Sequence, residues 1–387
     1  MQPHMRIICL IFLLSWSSDA GWQTPVASAS PAPAGATTTS PYPIMHTALE
    51  QALRLQFTEA LETAAQLQAS HYPSLALRLT RGIIAYFQWR WQTRQSSASL
   101  QNGHTLLQEV LDEGQKHLDT APRDAQLLLF LGLAATFDAL LQQGQDAWES
   151  LQLFSQGKAW LQQALVADAT VADAHLGLGL LYFASTEWPA WLRRVWESLR
   201  GLSMEASAHH LQQAISGAHF TRHVAQTFLV RLYVLEKRYN DAIALGQTLQ
   251  DAFPENGYYA LLIGRSQCAL LQYALCAKTL EALSGRYHAS ETSLEPPDDR
   301  FEMYYYLGIA RNETGQYDQA FEALRQAINE DPRNAHDASL WAKYHLATLY
   351  ERRGQSTTAR QLYRTLLRGR NVEDLHRRVQ QRLAHLQ

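Results

Sequence analysis

From about His46 to the C-terminus, apolar residues recur at every third or fourth position almost without a break. That period fits helices with one buried face. No alternating run of polar and apolar residues bounded by turn signals appears, so strands are not expected. Two stretches before His46 depart from the pattern. Ile7 to Trp16 (IICLIFLLSW) is continuously apolar, follows Arg6, and leads into Ser18-Asp19-Ala20. This is the layout of an export signal over residues 1–20, cut after Ala20. The run is too short to span a bilayer comfortably, so an uncleaved anchor is the second reading. Residues 21–43 are rich in Ala, Pro, Ser and Thr, have no apolar period, and are expected to form a flexible linker.

Within the helical part the chain repeats itself. The clearest unit is Tyr305 to Pro332, with Leu307-Gly308 in its first helix, Gly315 and Tyr317 at the turn, Ala320 and Ala327 in its second helix, and Pro332 at its end. Leu346-Ala347, Tyr350, Gly354, Ala359 and Tyr363 repeat the frame, as do Leu229, Tyr233, Tyr239, Ala242 and Pro254. Ile263-Gly264, Tyr273 and Cys276 give another copy. Leu131-Gly132 and Leu178-Gly179 match the first-helix pattern, and Phe57, Ala60 and Ala64 a second helix. This frame closely resembles the tetratricopeptide repeat. The resemblance implies an all-α fold, a right-handed superhelix (α-solenoid) of antiparallel helix pairs. It divides the chain into an N-terminal array at residues 46–222, a regular array at 223–370 and a capping helix at 371–387.

The two arrays are expected to differ in height. In the regular units the small residue of the first helix precedes that of the second by 12 positions, as from Gly308 to Ala320. Gly82 to Val110, Gly132 to Gly157 and Gly179 to Ser207 span 28, 25 and 28. Three hairpins would thus be lengthened at their tips by 13 to 16 residues, or about two turns per helix. Six of the ten tryptophans fall in these extensions: Trp89, Trp91, Trp148, Trp188, Trp191 and Trp196. Trp188, Trp191 and Trp196 are candidates for a rim contact with a protein or a membrane surface; packing among the extensions is the plainer reading.

A net charge of −3 over 387 residues gives no case for nucleic acid. Charge matters only near the end, where nine Arg stand against two Glu and one Asp from Glu351 onward. This end is either a solvated helix pair or a dock for an anionic partner. Outside the apolar leader there are two cysteines, Cys268 and Cys276, expected on facing helices of one hairpin. They are either a disulfide or two buried thiols. The densest histidine group is His209, His210, His219 and His223, without an HExxH arrangement, so neither a metal nor a cofactor is expected. No GxSxG, P-loop or GxGxxG motif is present, and no catalytic residue is predicted.

What is left is a binding surface. The tetratricopeptide resemblance implies an inner face lined by first helices that takes extended peptides or helices. On this chain that lining would be Asp173, Leu176, Leu180, Thr227, Arg231, Tyr258, Arg265, Tyr305, Asn312, Trp341 and Tyr344. Arg, Tyr and Trp are residues that anchor interfaces. The family's clamp for a C-terminal carboxylate needs Lys and Asn, whereas Thr227, Leu261, Tyr305 and Tyr344 occupy one of its slots. The expectation is an extracytoplasmic scaffold for protein or peptide partners, in envelope assembly or export. The alternative is a peripheral membrane protein held by the Trp-rich helix and the basic end.

Overall fold

The computed structural model describes residues 40–67, 72–91, 97–142, 147–184, 203–289, 297–331 and 337–386, which belong to a single compact unit. Helices account for nearly all of them, and no strand occurs among the described residues. Eight successive helix pairs can be followed: α1 (Tyr42–Leu53) with α2 (Phe57–Ala64), α3 (Pro73–Trp91) with α4 (Ser97–Leu118), α5 (Ala125–Leu141) with α6 (Ala147–Ala167), and α7 (Ala174–Ala184) with α8 (Met204–Gly217). Then come α9 (Arg222–Leu235) with α10 (Tyr239–Ala252), α11 (Gly257–Ala269) with α12 (Tyr273–Ala289), α13 (Pro297–Glu313) with α14 (Tyr317–Glu330), and α15 (Asp337–Arg352) with α16 (Ser356–Arg368). A final helix, α17 (Leu375–His385), packs on α16 through the buried Leu375 and Val379. The export signal and nearly all of the linker expected at residues 1–43 lie outside the described residues, as do Trp188, Trp191 and Trp196.

Each helix packs on its chain neighbours, and first helices also touch the first helices one pair away, as in α1 with α3, α3 with α5, α5 with α7, α11 with α13 and α13 with α15. First helices therefore form an inner layer, and second helices stand behind it. This is an α-solenoid. Five hairpins share one turn. A residue in the left-handed region, Leu55, Lys237, Leu271, Gly315 or Gly354, follows the first helix. The next N–H then reaches back five residues: Gln56 to Gln51 O, Arg238 to Tyr233 O, Gln272 to Gln267 O, Gln316 to Arg311 O, and Gln355 to Tyr350 O, all at 2.8–2.9 Å. This closes the carbonyls that a helix end leaves unpaired. Only Gly315 and Gly354 adopt that conformation without a Cβ penalty.

The small positions set the distance within each pair. A Cβ on Gly308 would lie 2.6 Å from Cγ of Leu324 and 3.2 Å from its backbone nitrogen. Gly264 meets Leu280 in the same way, and Gly132, Gly179 and Gly82 meet Leu161, Leu211 and Leu107. In every case the leucine lies four residues beyond the small partner on the second helix, so the partner of Gly82 is Gly103 rather than Val110. The second hairpin is thus lengthened by one helical turn less on each side than the sequence frame suggested. The other two frames agree with the contacts: a Cβ on Gly157 would lie 3.2 Å from Gly132 O, and Ser207 Oγ donates to Gly179 O. Gly308→Ala is expected to lower the unfolding free energy by about 1–3 kcal/mol, because the backbone of α14 cannot yield as a side-chain tip can. That loss outweighs the helix-propensity gain of about 1 kcal/mol, and a urea midpoint below that of the parent chain would show it.

Two consequences follow for any site. The described helices of the second and third pairs have 19, 22, 17 and 21 residues, against 13 to 17 in α9 to α16. The inner layer of the N-terminal half also curls until it meets itself. Helix α1 touches α9, Tyr42 stacks on His219 and Phe220, and Asn256 Nδ2 donates to Leu53 O at 2.9 Å. Helix α3 crosses to α9, α11 and α13 through Tyr86 with Phe228, Trp91 with Tyr258, and Arg90 with Asp299. One continuous apolar core runs from Met45 to Leu262 as a result.

Candidate functional site

That closure decides which of the expected lining residues are accessible. Asp173, Leu176 and Leu180 have no exposed surface, and Thr227 and Tyr258 are 5% and 6% exposed. They are part of the packed interior and offer a partner nothing, which corrects their placement in a groove. Asp173 acts instead as a clasp. Its carboxylate accepts from the N–H groups of His219, Phe220 and Thr221 and from the Thr221 hydroxyl, at 2.8–3.1 Å. Thr227 shares a hydrogen bond with the buried Tyr259 hydroxyl at 2.9 Å. Arg231 is half-buried over the Phe183 ring.

A legible signal for this was present. Helix α5 (AQLLLFLGLAATFDALL) is apolar on every side, and all residues from Leu127 to Leu141 are buried. A helix without a polar face belongs inside. Its one carboxylate, Asp138, is met by His104 Nδ1 at 2.7 Å and Gln108 Nε2 at 2.5 Å from α4. Burial pushes the Asp138 carboxyl up, and His104 opposes that shift. The described tryptophans of the extensions pack too: Trp91 is buried against Phe87 and Tyr258, and Trp89 and Trp148 lie against the core.

The inner face of the last three pairs keeps partly exposed side chains, although Tyr344 is buried at 8% exposure. Arg265 on α11 pairs with Glu302 on α13 at 3.4 Å and lies over Tyr306. Tyr305 stacks with Phe301 and reaches the ring of His345 on α15. Trp341 and Tyr344 flank the same histidine. Asn312 turns away to Glu313, to which its Nδ2 donates at 2.8 Å. At the far end α17 adds positive charge: the Arg378 guanidinium sits 5.3 Å over Trp341, and Arg382 bridges to Glu351 at 3.5 Å. Tyr344, Arg377, Arg378, Gln381, Arg382 and His385 line a shallow pocket there. The structure thus joins Arg265, Tyr305, Trp341 and Tyr344 into one aromatic stripe that ends in arginines. The basic end is expected from the sequence either as a solvated helix pair or as a dock for an anionic partner; its place beside Trp341 depends on how the cap folds back.

Burial first, and Arg378 second, hold the His345 imidazole down to about 4. His210, stacked on His175, is likewise held down to about 4 by burial and then by His175 and His209. The unfolded chain takes up these protons near pH 6.5. Between pH 6.5 and about 4 it therefore binds protons that the folded chain refuses, and stability must fall as pH falls through that window. Urea midpoints measured from pH 7 to 4.5 should decline, and His345→Gln and His210→Gln should each flatten the slope.

Two further groupings stand apart. Cys268 and Cys276 are joined by a disulfide across the α11–α12 turn. His46, Glu50 and His223 present one ligand atom each, all within 4.8 Å of one another. Spacing along the chain groups His223 with His209, His210 and His219; in the fold it meets His46 and Glu50 of α1.

An inner layer of first helices, paired through small residues at a fixed register, defines a tetratricopeptide-type α-solenoid. No known family profile matches the chain, and no curated protein matches it in sequence. Among solved structures it is similar to MamA (41-end) from Desulfovibrio magneticus RS-1, with 18% identity over 46% of this chain and 92% of that one, at a TM-score of 0.36. It is similar to YrrB, described as a TPR protein with an unusual peptide-binding site, with 15% identity, 59% and 97% coverage and a TM-score of 0.41. Yeast Tom70 aligns with 12% identity, 89% and 73% coverage and a TM-score of 0.44.

Proposed function

We propose that the protein is a non-catalytic scaffold that binds an acidic peptide segment of a partner along the inner face of its last three helix pairs. The observation that carries this reading is the stripe of Tyr305, Trp341 and Tyr344 ending at Arg377, Arg378 and Arg382. The partly exposed Tyr305 and Trp341 supply contact area at low entropic cost, the buried Tyr344 packs against Trp341 and supports it, and the arginines supply charge complementarity. We further propose that it works outside the cytoplasm, in envelope assembly or export. The signal-like N-terminus and the paired cysteines support that location.

A peptide array probed with the full chain tests the reading. Bound peptides should be enriched in Asp and Glu, and Arg378→Glu/Arg382→Glu should weaken them at least 10-fold, as should raised salt. No enrichment, or equal binding by the variant, would overturn it. Flotation with anionic vesicles distinguishes the membrane reading, which predicts binding that the same double variant abolishes. Among the described residues no helix is long and apolar enough to cross a membrane.

A further inference from the structure

We propose that His46, Glu50 and His223 form a binding site for a divalent transition-metal ion of the zinc class, and that the ion fastens the first helix pair to the fifth. His46 and Glu50 stand one turn apart on α1 and so share a face. His223 enters from the first turn of α9. Its Nδ1 lies 2.8 Å from Glu50 Oε1, and Glu50 Oε1 lies 3.8 Å from His46 Nε2. The His223 Nδ1 atom is shielded from solvent and faces the Glu50 carboxylate. The histidine rings face each other at 5.8 Å, and an edge-to-face contact with Phe253 at 5.2 Å steadies the second.

Two imidazoles and one carboxylate are a borderline-soft donor set, suited to zinc and its neighbours and poorly suited to magnesium or calcium. In a tetrahedral shell of about 2.1 Å radius, donors stand roughly 3.4 Å apart. The observed set needs only small side-chain rotations to reach that spacing. All three side chains are partly exposed, at 39%, 32% and 27%, so small rotations are open to them and water can reach the site to complete the shell. The position gives the ion its role. Helix α1 meets α9 over a small area, and the seam around it is held by Asn256 to Leu53 O, Tyr42 on His219 and Phe220, and Arg54 with Phe253 and Glu255. A ligand held by both sides of that seam stabilises the closed array by its own binding free energy.

The test uses the full, untagged chain stripped with a chelator. Titration with Zn²⁺ against a chromophoric competitor should show one tight equivalent, and Co²⁺ should give the visible absorption of a four-coordinate site. His46→Ala and His223→Ala should each weaken Zn²⁺ on the order of 100-fold, and Glu50→Gln about 10-fold. His210→Ala, at the separate His175–His210 pair, should bind as the parent does. Zn²⁺ should raise the melting temperature of the parent and of His210→Ala, and leave His46→Ala unmoved. His46 and Glu50 lie on a partly exposed helix face, so those two variants keep the question open if His223→Ala folds poorly. No stoichiometric Zn²⁺ binding by the parent, binding retained by His46→Ala/His223→Ala, or binding lost in His210→Ala would each overturn the proposal.

Discussion

Replacing Asp173 with alanine should destabilise the protein by about 3–4 kcal/mol, the value expected when a buried carboxylate that accepts several hydrogen bonds is removed. Its four donors, three of them backbone N–H groups at residues 219–221, would lose their acceptor inside the fold. Water cannot replace it cheaply, because Asp173 and Thr221 are fully buried. Asp173→Asn keeps the shape and one acceptor oxygen, and should cost about half as much. The urea midpoint gives the energy; hydrogen exchange gives the place. Protection should be lost first at the amides of His219, Phe220 and Thr221. If Asp173 instead lined an open groove, both variants would unfold like the parent and only partner capture would suffer.

Asp173 also shows where sequence reasoning about this chain stops. The repeat frame was legible because it is local. Small residues must recur wherever two backbones approach, and Gly308 with Ala320, or Gly264 with Cys276, mark that approach within one hairpin. Lengthened hairpins were legible by the same count, apart from the slip at Gly103, where two small-to-medium residues two turns apart were both compatible with the frame. The inner face was not legible by analogy. A solenoid presents a groove only if its curvature leaves one, and curvature is set by contacts between distant pairs. Tyr86 against Phe228 and Trp91 against Tyr258 carry no signal in their own neighbourhoods. The all-apolar α5 was the available clue. At α13 and α15 Tyr305 and Trp341 keep part of their surface and both meet His345, with Arg378 of α17 over Trp341. The triad of His46, Glu50 and His223 is of the same kind: one half, His-x-x-x-Glu, can be seen in α1, but the other half is supplied by closure.

Closure itself can be tested at the ion pair that spans it. Arg90 ends α3, and Asp299 lies in the first turn of α13; their charged groups meet at 3.3 Å with both residues almost fully buried. The Arg90 guanidinium also lies 4.9 Å over the Tyr258 ring. Burial alone would favour its neutral form, but Asp299, Tyr258 and Tyr86 outweigh that and hold its pKa above the ordinary value. Arg90→Met should therefore cost about 3–5 kcal/mol, because the buried Asp299 carboxylate loses the Arg90 charge. The cost does not measure what the pair is worth. Arg90→Met/Asp299→Leu removes both charges and should recover most of the loss, since apolar pairs of similar volume often match buried ion pairs. Two readouts separate closure from local packing. If the seam joins the two halves, Arg90→Met should raise hydrogen exchange in α11 and the start of α13 as much as in α3, and the double variant should restore all three together. Exchange confined to α3, or a double variant no better than the single one, would mean that the pair does not hold the seam. The aromatic contacts of Tyr86 and Trp91, together with those of α1 to α9, would then close the array.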